Sequence, residues 1–312
     1  MNLKKLKVVE NNLLPLVIIT TVIALLLPSL GDKLKSTVSP MLALLMFFIS
    51  LTFDFTQVKE SVKKVPIILL TMFLVFIPMT LIGFLIGNIF FSGDLAVGQT
   101  ILGALPTDVS APLLVYFGSG NVALASIMNA LVTGLSPLII PPLLMMITGI
   151  EFHIPVSSMV LELMIIIILP TIVGVFIRSK FKKAEEYEDI YSFASSILYL
   201  CLLFVVVSDS GEIIKSFSIS KILLIILACL LLNMSGYLIA FLTKPLNKNR
   251  EDLIAVLFTV SKKEFSIAAA IVYTANLSET MLIPATFYAV IQMITSPLMV
   301  KLLNSLNKKG LK

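Results

Sequence analysis

Thr259-Val260-Ser261-Lys262-Lys263-Glu264-Phe265-Ser266 sets three consecutive charges between two short apolar runs, Leu253 to Phe258 and Ile267 to Val272. Neither flank alone is long enough to cross a bilayer. Asp252 to Thr274 together make 23 residues, roughly 34 Å as a helix, against a hydrocarbon layer of about 30 Å. That length puts Lys262, Lys263 and Glu264 near mid-membrane. Charges are expensive at that depth, so they belong against a protein interior or a water-filled cavity, where they mark a functional site. A polar loop between two separate segments is the bland reading, and it fails because each half is about half a span.

The rest of the chain fits a membrane setting. Of 312 residues, 58% are hydrophobic and only 13% charged, with a mean hydropathy of +1.05. The surface of a soluble domain needs more charge than this. Cys201 and Cys229 sit inside apolar runs as small packing residues, and His153 is the lone histidine, so neither a metal site nor a cofactor site is expected. The net charge of +5 marks the cytoplasmic side of a membrane rather than a nucleic-acid partner.

The apolar runs predict an all-α polytopic membrane protein with ten spans. They fall at about Leu13 to Leu30, Val38 to Phe53, Val65 to Phe91, Leu95 to Phe117, Asn121 to Thr148, Met159 to Ile177, Tyr191 to Val207, Ile222 to Leu242, Asp252 to Thr274 and Met281 to Leu303. The first run lacks an Ala-x-Ala-like cleavage site and is expected to be a retained helix. With the N-terminus inside, the inner segments carry 17 Lys and Arg and the outer segments 4, the latter being Lys33, Lys35, Lys215 and Lys221. Both termini are therefore expected on the cytoplasmic side of the cytoplasmic membrane.

Five spans precede the loop Gly149 to Ser158 and five follow it. Pro106-Thr107-Asp108, Val115-Tyr116 and Ser136-Pro137-Leu138 in the first half answer Lys263-Glu264-Phe265, Val272-Tyr273 and Ser296-Pro297-Leu298 in the second. An odd number of spans per half forces opposite orientations. This predicts two inverted five-helix repeats, residues 1–150 and 151–312, with interrupted helices in corresponding positions, a pointer to a secondary transporter's site. Pro106 and Pro112 are expected to break the fourth helix. Freed carbonyls are tolerated there only against a cavity or protein. The ninth helix has no proline or glycine from Thr259 to Ala270, so its break is inferred from charge and from the repeat alone.

Ser119-Gly120-Asn121-Val122-Ala123-Leu124-Ala125, with Ser136-Pro137-Leu138 downstream and Pro106 upstream, resembles the first crossover region of the bile acid:sodium symporter family. Ile49-Ser50-Leu51-Thr52-Phe53 and the region of Pro78 are also similar. The resemblance implies a panel of helices 1, 2, 6 and 7, a core of helices 3–5 and 8–10, and fourth and ninth helices crossing at their broken middles. It also exposes departures. Sodium-coupled members carry a serine and an asparagine where this chain has Ala111 and Pro112, and a serine and a threonine where it has Ala125 and Asn129. A third-span glutamine falls at Phe73, a sodium-binding glutamate at Thr259 and a glutamine at Lys263. Alanine and phenylalanine supply no side-chain oxygen, and lysine repels a cation, so the two sodium sites are not carried over.

What remains is Asp108 in one interruption and Lys262, Lys263 and Glu264 in the other. A buried pair of opposite charges is mutually required. Lys263 is expected to be the functional charge, with Asp108 its partner and Lys262 and Glu264 secondary. It stands either as a fixed substitute for sodium or as a proton carrier, since a desolvated ammonium gives up its proton readily. Asn129 and Gln292 are candidate cavity-lining groups, Thr107 and Thr259 join them as candidate substrate- or ion-binding residues, Asn233 is expected to bond between helices, and Asp54, Asp209 and Glu162 to meet water near span ends. The expected function is secondary transport of a small organic solute, an anion, coupled to H+ or a fixed lysine charge rather than to Na+. A sodium-coupled symporter using backbone ligands, or a passive exporter or channel, are the alternatives. An intramembrane serine protease would need a histidine in a span and an aspartyl protease two facing aspartates, but His153 is in a loop and only Asp108 is deep, so no enzyme is expected.

Overall fold

The computed structural model describes residues 13–52, 64–149, 156–181, 186–246 and 249–308, and among these every regular element is helical. Asp54, His153 and the basic residues at 4, 5, 7, 59, 63, 182, 183, 248, 309 and 312 lie outside the described residues.

The first described elements are α1 (Leu13–Leu26) and α2 (Pro28–Leu34), then a 3-10 turn (Lys35–Thr37) and α3 (Val38–Ser50). The expected first span thus ends early. Pro28 has no amide proton and disfavours a helical residue before it, and Leu27 accordingly sits at φ −122, ψ 53. The run long and apolar enough to cross a membrane is Pro28–Ser50, while α1 is a shorter apolar helix. α4 (Val65–Phe76) and α5 (Pro78–Phe90) form one run with a kink at Ile77. After them come α6 (Asp94–Ala104), α7 (Ala111–Phe117) and the long α8 (Val122–Thr148). The Asn121 side chain caps α8 by accepting from the Leu124 amide at 3.1 Å. α9 (Val156–Leu163) continues through a π-turn (Met164–Ile168) into α10 (Leu169–Lys180), the wider turn absorbing the amide missing at Pro170.

The remaining elements are α11 (Glu188–Asp209), α12 (Gly211–Ser216), α13 (Ile219–Leu242), α14 (Arg250–Ser261), α15 (Phe265–Thr274), a 3-10 turn (Glu279–Leu282) and α16 (Ile283–Lys308). Seven runs among the described residues are long and apolar enough to cross a membrane. The three expected spans not among them are the shortened α1 and the two interrupted pairs, α6 with α7 and α14 with α15.

α11 packs against α1, α2 and α3, and α10 packs against α3; α5 lies along α6, and α13 along α14, α16 and α5. Small residues allow the closest approaches. A Cβ on Gly31 would lie 2.0 Å from the Asp209 amide nitrogen, and one on Gly103 would lie 2.5 Å from the Met79 carbonyl. The outer surface is apolar, with Ile19, Leu69, Ile89, Met146, Ile165 and Leu238 exposed, whereas Thr107, Asp108, Lys262, Lys263, Glu264 and Gln292 are fully buried. That distribution inverts the pattern of a soluble protein and leads to where α6, α7, α14 and α15 meet.

Candidate functional site

Both interrupted helices fail in the same way, by handing their backbone groups to each other. α6 ends at Ala104, Leu105 is extended (φ −56, ψ 147), and α7 starts at Ala111. α14 ends at Ser261, with Lys262 at φ −95, ψ 137 and Glu264 at φ −85, ψ 94 before α15. In an unbroken helix the Glu264 amide would bond to the Val260 carbonyl and the Val109 amide to that of Leu105. Instead the Glu264 amide donates to the Pro106 carbonyl at 3.0 Å, and the Val109 amide to Glu264 Oε2 at 3.2 Å. The Thr107 hydroxyl donates to the Thr259 carbonyl at 2.7 Å. These bonds join the two interruptions directly.

Carbonyls of Gly103, Leu105 and Ser261, released at the helix ends, find donors elsewhere, as buried acceptors require. Lys263 Nζ donates to the carbonyls of Gly103 (2.8 Å), Leu105 (2.8 Å) and Val75 (3.3 Å), the first two at the negative end of α6. The Ser261 carbonyl accepts from Asn233 Nδ2 at 3.0 Å and from the Tyr288 hydroxyl at 2.5 Å, so Asn233 bonds between helices as its position in α13 predicted. Gln292 of α16 holds the Lys263 backbone at both ends, accepting from its amide at 2.9 Å and donating to its carbonyl at 3.0 Å.

Asp108 collects the other polar groups. Its Oδ2 accepts from Gln292 Nε2 at 3.0 Å, and its Oδ1 accepts from the Ser110 amide at 2.8 Å and from the Ser110 hydroxyl. Asn129 Nδ2 approaches its carbonyl at 3.3 Å, and the Thr133 hydroxyl donates to Asn129 Oδ1 at 3.1 Å. Lys262 Nζ lies 3.7 Å from Asp108 Oδ1 and makes no hydrogen bond. Glu264 accepts from the Ser266 hydroxyl on Oε1 at 2.5 Å. Each interruption therefore ends in an acid-x-Ser turn, Asp108-Val109-Ser110 and Glu264-Phe265-Ser266, with the serine hydroxyl returned to the acid.

The expected pairing of Asp108 with Lys263 is corrected: Asp108 faces Lys262. The reason is local geometry. Consecutive side chains on a helix diverge by about 100°, but on extended backbone they alternate between faces. With Lys262 to Glu264 non-helical, Lys262 and Glu264 turn to the first interruption and Lys263 turns to α4 and α6. Pro112 also takes another role, because it lies in the first turn of α7, where its missing amide costs nothing, and so begins a helix rather than breaking one. Pro106 lies inside the interruption. Phe73 points outward, 54% exposed.

Tyr199 of α11 was missed. It is buried, its hydroxyl has no hydrogen-bond partner, and its ring meets Phe265 edge-on at 5.1 Å between centroids. One phenol in the apolar run Ile197 to Phe204 carries little signal by itself. Ser110 and Ser266 were legible as serines two residues after an acid at a helix start.

Away from the crossing, past the far end of α15, lies a cavity of about 490 Å³ lined by Lys35, Ser36, Glu162, Tyr273, Asn276 and Glu279, among others. Lys35 Nζ reaches Asp32 at 2.7 Å and Glu279 at 3.2 Å. Asp209, expected to meet water, is instead buried and accepts from the Tyr273 hydroxyl at 2.6 Å. Among the described residues no group of three or more His, Cys, Asp and Glu gathers as metal ligands.

The sequence model of the SBF-like CPA transporter family matches residues 11–305. An uncharacterized protein of Bacillus subtilis (strain 168), YbaS, is 24% identical over 295 residues, which cover 93% of this chain and 96% of its own. A second protein of that organism, named as an uncharacterized sodium-dependent transporter, YocS, is 24% identical over 277 residues, 88% of this chain and 85% of its own.

Proposed function

The chain belongs to the SBF-like CPA transporter family, and we propose that it is a secondary active transporter that carries a small organic anion through the cytoplasmic membrane by alternating access. Family and apolar helices together make it an integral membrane protein. In the proposed architecture, residues 1–150 and 151–312 are inverted five-helix repeats. The panel comprises α1, α2 with α3, α9 with α10, and α11, and the remaining helices form the core. The interrupted pairs, α6 with α7 and α14 with α15, are its fourth and ninth spans. Two observations support the repeat. Val115-Tyr116 and Val272-Tyr273 occupy matching places near the ends of α7 and α15, and each valine is followed four residues later by a left-handed residue, Ser119 (φ 58) and Asn276 (φ 50). The proposed cytoplasmic placement of both termini rests on the Lys and Arg distribution; an outer-side signal from a reporter fused after Lys312 overturns it.

The observation that carries the solute assignment is Lys262. A fully buried ammonium 3.7 Å from its carboxylate and without a hydrogen bond retains donor capacity for an oxyanion, at the depth where broken helices hold transporter substrates. Purified protein in liposomes is expected to take up organic anions with saturable kinetics and counterflow. Flux that never saturates indicates a channel. Coupling is assigned to a proton or to a fixed lysine charge, and solute-induced pH changes in the vesicles separate these. The name of the relative YocS favours a second reading, sodium-coupled symport through backbone ligands.

A further inference from the structure

A sodium ion in a crossing of this kind needs several oxygens converging on one point, and such a point exists. The carbonyls of Val75, Gly103 and Leu105 converge at 3.3, 2.8 and 2.8 Å, but on Lys263 Nζ. We infer that Lys263 is a built-in cation, its ammonium filling a carbonyl cage that takes a free monovalent cation once the side chain is shortened.

The geometry carries this in three ways. All three neighbours of Nζ are acceptors, so all three hydrogens of an ammonium are used, whereas a neutral amine would turn a lone pair toward a carbonyl. The cage has no carboxylate. The charge is balanced by carbonyl dipoles alone, two of them at the end of α6, where a helix favours positive charge. Finally, the oxygens come from two segments, Val75 beside the kink before Pro78 and Gly103 with Leu105 at the end of α6, so the ammonium joins α4 to the first interruption as a bridging ion would. Lys262 differs on each count, with a carboxylate partner, no carbonyl contact and no hydrogen bond. The two adjacent lysines thus divide the work, Lys263 as the permanent cation and Lys262 as the charge available to solute.

The inference rests on reading the crossing as the transport site, yet its test needs no transport. Thermal stability of purified wild type, Lys263→Ala and Lys263→Met is measured in sodium, potassium, choline and propylammonium chlorides at constant ionic strength. Propylammonium replaces the atoms that alanine lacks. Wild type is expected to melt at one temperature in all four salts. Lys263→Ala should melt lower in choline and recover in propylammonium or in a small alkali cation, while Lys263→Met, whose thioether fills the channel without charge, should melt low in every salt. An alanine variant indifferent to all four cations overturns the inference. So does a wild type stabilised by sodium over choline, an arm that decides even where the alanine variant does not fold. A protein with salt-insensitive wild type and rescued Lys263→Ala but no saturable anion flux would retain the cage and lose the transport reading.

Discussion

The two interruptions reach the same form by opposite means. The first, residues 105–110, contains Pro106 and is followed by Pro112, and together with the end of α6 it contributes mainly acceptors: the carbonyls of Gly103, Leu105 and Pro106 and the carboxylate of Asp108. The second, Lys262 to Glu264, has no proline and is built from lysine and glutamate, both good helix formers. It contributes mainly donors, the Lys263 ammonium and the Glu264 amide, along with the Lys262 charge. A helix can therefore be opened by a rigid residue that cannot continue it, or by a partner that binds its polar groups better than its own next turn does. Here the second break depends on the first.

The largest expected effect tests which lysine belongs to which break. Asp108→Asn takes from the buried Lys262 charge its ion-pair partner, a loss on the order of 3–5 kcal/mol. Adding Lys262→Gln should restore part of it, and adding Lys263→Gln should not, as measured by denaturation of the purified variants. Equal recovery from either lysine would remove the division of labour. Next in size is Thr107→Val, which withdraws the donor from the buried Thr259 carbonyl and should cost about 1–3 kcal/mol in the same measurement; no loss would mean that water fills the place and the crossing is wetter than its burial implies.

A smaller change is expected from Pro106→Ala. The carbonyl that accepts from Glu264 is kept, so the loss should stay within about 1 kcal/mol, mostly from a more flexible unfolded chain. A larger one would show that the first break is held by the ring and not by its partner. Replacing sodium with choline at constant ionic strength should leave anion uptake by the wild type unchanged. Strong dependence would mean that Lys263 does not stand in for the ion, and would overturn its reading as a built-in cation.

Composition and the run lengths determine the membrane class, because no soluble surface can be made from so few charges. The locations of both breaks were also legible, one from Pro106 and the other from three charges at mid-span. The shortening of the first helix at Pro28 was equally available in the residues and was overlooked. The ion pair was not legible. Whether Lys262 or Lys263 faces Asp108 depends on whether three residues are helical or extended, and their own propensities favour the helix. The extended form is selected by the Pro106 carbonyl and by the carbonyl cage, acceptors roughly 160 to 190 positions earlier in the chain. Tyr199 was hidden for the same reason, since an apolar run records that a tyrosine is present but not which of its faces meets Phe265. Local sequence decides where a helix is able to open, and only the tertiary structure supplies the partners that decide what each side chain then faces.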